Sequence, residues 1–167
     1  MKAIVQHGYG APDVLKLIDT ERPAPEEGHV LIRVKASSIN PYDWHFVTGL
    51  PKLFRASFGG IRRPPADRVL GADFAGIVEE VGEGVTGFAP GDEVYGQAAA
   101  GAYAEYLAVK ADYAAAKPAG LSFEEAAAIP LAGVTALQGL RDKAAVGDGT
   151  NVLVNGASGG VGHFAVQ

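Results

Sequence analysis

The densest chemistry in this sequence is a glycine run, N-G-A-S-G-G-V-G at 155–162. An apolar stretch at 151–155 reads as a buried strand leading into it, and 163–167 reads as the start of a helix; that is the context a dinucleotide fingerprint requires. Glycine is needed where the backbone turns tightly and comes close to a pyrophosphate. The helix that follows offers free N–H groups and the positive end of its dipole to phosphate oxygens. Ala157, Gly159 and Gly162 fall on the three glycine positions of G-x-G-x-x-G, with Ala at the first. Ala157, Ser158, Gly159, Gly160, Val161 and Gly162 are therefore candidate cofactor contacts, and a plain glycine-rich turn is the alternative. The residue that would read the ribose is expected roughly 20 residues further on, past Gln167, so spacing leaves NAD and NADP open.

Other chemistries are excluded by composition. There are no cysteines, so disulfides, thiolate metal sites and a Cys nucleophile are impossible. His7, His29, His45 and His163 include no pair at i, i+4, and no metal site is expected. The net charge is −5 and no basic run exceeds Arg62-Arg63, which argues against nucleic acid as a partner because phosphate neutralisation needs a basic patch. Arg62 and Arg63 could meet one anionic group, but solvated surface is the simpler reading. The start, M-K-A-I-V-Q-H, is too short an apolar run for a signal peptide, and no stretch approaches the roughly 20 apolar residues of a membrane helix. A cytoplasmic protein with no membrane partner is expected. Hydrophobic residues at 48% and charged ones at 20% suit an ordinary globular chain.

The elements that must position these residues change character near Gly120. Before it the chain is strand-rich. Residues 2–6 form a short strand candidate; 30–37 alternate, with Val30, Ile32 and Val34 on one face. Asn40-Pro41 reads as an N-cap and first helical residue for a short helix over 42–47. Residues 49–70 form a long loop rich in Gly, Pro and Arg, uncommon unless functional or mobile. Strands follow at 74–81 and 92–95, with turn chemistry at 82–91, and 103–109 alternates again. After Gly120, S-F-E-E at 122–125 is a capping box. Its helix runs to Ile129, and a second helix is expected over 131–143, ending in Arg141 and Lys143. Strand, glycine loop and helix then complete one βα step of an alternating unit.

With these pieces in order, the chain resembles the zinc-independent quinone oxidoreductases, the zeta-crystallin-like branch of the medium-chain dehydrogenase/reductase superfamily. The resemblance is carried by M-K-A-I-V at the start, V-K-A-S-S-I-N-P-Y-D-W at 34–44, L-G-A-D-F-A-G-I-V-E-E-V-G-E-G-V at 70–85, F-A-P-G-D-E-V-Y-G at 88–96, L-S-F-E-E-A-A-A-I-P at 121–130, L-A-G-V-T-A-L-Q-G-L at 131–140 and the glycine run. It covers nearly the whole chain in family order. It implies a mainly β, GroES-like barrel catalytic domain over 1–120, followed over 121–167 by the first, incomplete α/β portion of a Rossmann domain. The family's cleft lies between the two. Relatives with zinc carry a Cys near position 40 and a His-Glu pair near 72–73; here Asn40 and Ala72-Asp73 stand there.

The resemblance implies roles. Asn40 would line the nicotinamide and substrate cleft, where its amide could hydrogen-bond a carbonyl oxygen; helix capping is its other reading. Tyr42 and His45 share the short helix. His45 stands where many relatives have Tyr, so it is either a proton donor or a polar residue at the cleft edge. Thr135 would bond the nicotinamide carboxamide, or else its own helix backbone. Asp73, after a Gly-Ala pair, could orient its neighbours, and a structural hydrogen-bonding role is the favoured reading, as for most buried Asp. The implied reaction is hydride transfer from NADPH, with NADH not excluded, to a quinone or an α,β-unsaturated carbonyl. An enoyl-thioester reductase on the same scaffold is the alternative, favoured by a wider cleft with basic residues. A non-catalytic binding module is the other, if the chain ends at 167. The full-length protein is expected to be a homodimer, and these 167 residues alone to be inactive.

Overall fold

The computed structural model describes residues 1–56, 60–65 and 68–167. Lys2–Gln6 (β1) pairs antiparallel with Leu15–Asp19 (β2), Lys2 opposite Asp19 and Gln6 opposite Leu15. β2 is absent from the sequence reading because it fully buries no residue; pairing with β1, not an apolar pattern of its own, makes it a strand. Five more strands follow: His29–Ser37 (β3), Asp73–Val81 (β4), Glu93–Gln97 (β5), Tyr106–Lys110 (β6) and Ala114–Ala116 (β7). They form one antiparallel sheet in the order β6-β3-β4-β5-β7. Isolated bridges between Ala3 and Ala104 and between Val5 and Val69 join β1 to the segments that precede β6 and β4.

The barrel closes on Val30, Ile32, Phe74, Val78, Val94, Leu107 and Val109, each worth about 1.5–3 kcal/mol when fully buried. Val30 and Ile32 of β3 join this cluster while Leu31 between them does not, although it is buried as completely. The register with β4 shifts between Leu31 and Ile32, a β-bulge.

Helices position the site. Pro41–Thr48 (α1) starts at Asn40 with Pro at its first position and closes on Gly49, whose N–H donates to the His45 carbonyl at 2.8 Å. Of the long segment 49–70, Lys52–Arg55 forms a 3-10 turn, and residues 57–59 and 66–67, including Gly59, lie outside the described residues. Phe123–Ala127 (α2) carries the expected capping box: Glu125 N donates to Ser122 Oγ at 3.1 Å and Ser122 N to Glu125 Oε2 at 2.8 Å. Its Ala126 and Ala127 pack on Ala75 of β4, small side chains that let helix and sheet approach closely.

Two expectations after Gly120 are corrected. The helix over 131–143 is α-helical only as Pro130–Leu137 (α3) and continues as a π-helical segment over Gln138–Lys143. There the Ala144 N–H reaches back five residues to the Gly139 carbonyl at 3.0 Å. Gly139 weakens the helix locally, and no residue of the segment is buried to hold the tighter winding. Residues 151–155 are not a strand. Leu153 is 93% exposed, and no described strand lies beside it to take its backbone groups; a strand that cannot pair has nothing to make it one. Gly160–Val166 (α4) forms as expected beyond the glycine turn and packs on α3. Among the described residues, no helix is long and apolar enough to cross a membrane.

Candidate active site

The site grows from the start of α1. Asn40 is half-buried and extended, at φ −116° and ψ 158°. Its main-chain N–H donates to Asp43 Oδ2 at 2.8 Å, one half of a capping box. Its side chain lies over the first turn as the other half, without a bond of ordinary length. The side-chain Nδ2 donates to Ser38 Oγ and to Asp73 Oδ2, each at 3.0 Å. Both amide hydrogens are thus engaged within the protein, and Oδ1, an acceptor, is what Asn40 has left to offer a ligand.

Asp73 is fully buried and collects three donors. Ser38 Oγ and Asn40 Nδ2 reach Oδ2 at 2.9 and 3.0 Å, and the Leu131 N–H of α3 reaches Oδ1 at 3.0 Å. Burial raises its pKa above the usual carboxylate range, opposed by those bonds, and the Asp43 charge raises it further. Asp43, also buried, has its pKa raised by burial, opposed by the Asn40 N–H, the nearby Tyr103 hydroxyl and the Gly71 N–H. The Tyr103 hydroxyl donates to the Ser38 carbonyl at 3.0 Å and stands within reach of Asp43; burial and that carboxylate push its pKa well up. Gly71 at φ +91° makes the packing possible: a Cβ there would lie 2.4 Å from the Tyr103 ring.

Two cavities flank α1. One, of about 690 Å³, opens between the barrel and α3. Its described lining includes Tyr42, Tyr95, Tyr113, Pro130, Val134, Gln138 and Asp112, and no Lys, Arg or His. The other, of about 720 Å³, is lined mainly by apolar groups, among them Leu15, Ile39, Trp44, Val47 and Leu50, with Arg55 at its wall.

Of the residues singled out from sequence, Tyr42 lines the first cavity, its hydroxyl donating to the Ala99 carbonyl at 3.1 Å. Burial is the main cause of its raised pKa. Asn40 lines neither cavity; in the chain it stands between Ile39, which lines one, and Tyr42, which lines the other. His45 lines neither; its Nδ1 is held by the Leu50 carbonyl at 2.7 Å, which leaves Nε2 free. Thr135 is exposed beside Val134, and its hydroxyl donates to the Leu131 carbonyl at 2.6 Å, the backbone bond weighed against a cofactor role.

The glycine run turns at Gly156, and the Gly159 N–H returns to the Gly156 carbonyl at 3.0 Å. Gly159 then caps α4, of which Gly160, Val161 and Gly162 form the first turn. A Cβ on Gly162 would stand 2.1 Å from the Gly156 oxygen, whereas one on Gly159 would meet only that oxygen at 3.4 Å. Ala157 and Ser158 form the exposed crest of the turn. The close approach at Gly162 and the exposed N–H groups of the loop fit a bound phosphate.

Sequence reasoning missed Ser38, Asp43, Tyr103 and the Leu131 N–H. Asp43 was within reach, since Asn40 and Asp43 sit at capping-box spacing. Tyr103 carried no signal: it lies 65 residues from its partner Ser38.

The pattern of the Alcohol dehydrogenase GroES-like domain matches residues 26–119. The chain is 42% identical over 177 residues to the 2-methylene-furan-3-one reductase of Solanum lycopersicum, covering 100% of this chain and 43% of that protein. Among solved structures, the quinone oxidoreductase of Escherichia coli complexed with NADPH is 35% identical, with a TM-score of 0.84 over 99% of this chain and 48% of that one. The CurK enoyl reductase is 32% identical, with a TM-score of 0.90 over 99% and 49%. The chain spans about half the length of the relatives it matches. It belongs to the alcohol dehydrogenase GroES-like domain family, and the relatives it matches over its full length include quinone oxidoreductases.

Proposed function

We propose that this protein is the catalytic half of an NADPH-dependent, zinc-independent oxidoreductase that reduces a quinone or an α,β-unsaturated carbonyl. The observation that carries this reading is the cavity of about 690 Å³ with three tyrosines and no cationic side chain among its described lining residues. Flat aromatic walls suit a planar, neutral, conjugated substrate. The kinship with a reductase named for a furanone and with a quinone oxidoreductase supports the same class. The likeness to CurK supports the enoyl-thioester alternative. Yet Asp112 in the lining, with no Lys or Arg to set against it, disfavours an anionic acyl carrier. A homodimer belongs to the same reading of the whole protein.

A bound reduced nicotinamide supplies the hydride. The chain's own residues bind and orient. The loop from Ala157 to Gly162, through the N–H groups other than that of Gly159, which is held by the Gly156 carbonyl, would hold the pyrophosphate at the positive end of α4. Thr135, its hydrogen already given to Leu131, accepts through its oxygen from a carboxamide N–H. Asn40 accepts through Oδ1. Negative charge grows on the substrate oxygen as it is reduced, and a neutral donor can meet it. Tyr42 is such a donor: burial keeps its hydroxyl protonated, and it can leave the Ala99 carbonyl for the substrate. His45, turned to Leu50, is not required for this step.

The test is NADPH oxidation by the protein carrying a complete dinucleotide-binding domain, offered a simple quinone, a cyclic enone or an enoyl thioester, with and without a strong chelator. Chelator-insensitive turnover of the first two is expected. Preference for the thioester would favour the alternative, and no turnover with any would leave a binding module.

A further inference from the structure

Two separate functional groups, the Asn40 amide and the α3 helix that carries Thr135, are held by one carboxylate. Asp73 Oδ2 takes a hydrogen of the Asn40 amide at 3.0 Å, and Oδ1 takes the Leu131 N–H at 3.0 Å. Leu131 passes the connection on, its carbonyl accepting the Thr135 hydroxyl at 2.6 Å. Ser38 completes the ring by donating to Asp73 Oδ2 at 2.9 Å and accepting from Asn40 Nδ2 at 3.0 Å. An ionised carboxylate only accepts, so the Asn40 amide has one orientation beside it: NH2 toward Asp73 and Ser38, carbonyl toward the first turn of α1.

We infer that Asp73 is a positioning residue, which sets the face of the Asn40 amide that a ligand meets and holds Asn40 in register with the turn of α3 that carries Thr135. The inference rests on the reading of Asn40 and Thr135 as cofactor-side groups. Asp43 strengthens it from the other side, holding the Asn40 main chain at 2.8 Å so that rotation of the amide is the freedom left. Asn40 Nδ2 has two acceptors among the described contacts, Asp73 Oδ2 and Ser38 Oγ. Ser38 Oγ gives its own hydrogen to the same carboxylate, so the three groups are linked as a unit.

The chemistry offers a clean substitution. In Asp73→Asn the new Oδ1 can still accept the Leu131 N–H, so α3 stays docked. The new NH2, however, confronts the Asn40 NH2, two donors face to face. Asn40 must turn over, presenting hydrogens where it presented an acceptor. Adding Asn40→Asp reverses the conflict. Asn at 73 donates to Asp at 40 and to Ser38 Oγ, Ser38 donates to Asp at 40, and an acceptor again faces the first turn of α1. The net charge of the site is that of the native pair.

The experiment measures NADPH oxidation and NADPH affinity in the protein with its complete dinucleotide domain, beside the melting temperature of each variant. Asp73→Asn is expected to lower kcat/KM by about ten- to a hundredfold, the scale of one misplaced charge-assisted hydrogen bond, and N40D/D73N to recover most of it. A purely structural Asp73 would instead leave both variants impaired in proportion to their loss of thermal stability, and that result overturns the inference. So does native kcat/KM in Asp73→Asn. If the native protein oxidises no NADPH, the functional reading fails by itself. The positioning is then read from hydrogen exchange of the Asn40 side-chain amide by NMR: protected in the native chain and at least tenfold faster in Asp73→Asn. Equal exchange in the two overturns it.

Discussion

Asp73 on β4 and Leu131 at the start of α3 are joined by a 3.0 Å hydrogen bond from the Leu131 N–H to the buried carboxylate. The bond ties the sheet of the barrel to a helix 58 residues further along the chain. Asp73→Ala removes the acceptor for that N–H and for the Ser38 and Asn40 side chains at once. A loss of about 2–4 kcal/mol in unfolding free energy is expected, read from the urea midpoint at unchanged slope. A change below about 0.5 kcal/mol, within the range of ordinary surface substitutions, would mean that water or rearrangement replaces the carboxylate.

The same burial gives a pH dependence of unusual sign. Asp73 has its pKa raised by burial above its ordinary value of 3.8. The folded state therefore holds its proton at a pH where the unfolded state has lost it, and stability from this group grows as pH falls from the raised value toward 3.8. Wild type should gain stability relative to Asp73→Asn over that window, against the usual acid loss. Thermal melts of both proteins across the acid range test this. A gap that stays constant or narrows on acidification would contradict a raised carboxyl.

Gly71 and Tyr103 should respond unequally. Tyr103→Phe loses one hydrogen bond to the Ser38 carbonyl and should cost about 1 kcal/mol. Gly71→Ala puts a Cβ 2.4 Å from the Tyr103 ring at a φ of +91°, and strain with overpacking should cost about 2–4 kcal/mol. Equal costs in denaturant titrations would show that the ring moves aside freely.

Within the glycine run, position decides the phenotype. Gly159→Asp has room for its Cβ, whose nearest neighbour stands at 3.4 Å, so the variant should fold; its charge would repel a pyrophosphate and lower NADPH affinity by at least about tenfold. Gly162→Ala meets the Gly156 oxygen at 2.1 Å and should disturb the turn itself. Circular dichroism and NADPH titration on the two-domain protein separate these outcomes. Unchanged affinity in a folded Gly159→Asp would leave the run as a turn only.

Local signals in the sequence were enough for some elements. Asn40-Pro41 started α1, and Ser122 with Glu125 started α2, because caps are satisfied within one turn of the chain. Alternation marked β3 and β6, and β4 was legible as an apolar strand. Ala157, Gly159 and Gly162, at the spacing of the fingerprint, marked the loop before α4. Tertiary structure alone decided the rest. β2 and β7 exist through their partners β1 and β5, and 151–155, apolar enough to be a strand, is none without a neighbour. The carboxylate that organises the site was visible as a residue, but its three donors come from 38, 40 and 131. Which end of the Asn40 amide faces a ligand depends on a side chain 33 positions away. Periodicity and caps are properties of neighbours in sequence, whereas the orientation of a buried polar group is set by whichever distant atoms the fold brings within 3 Å of it.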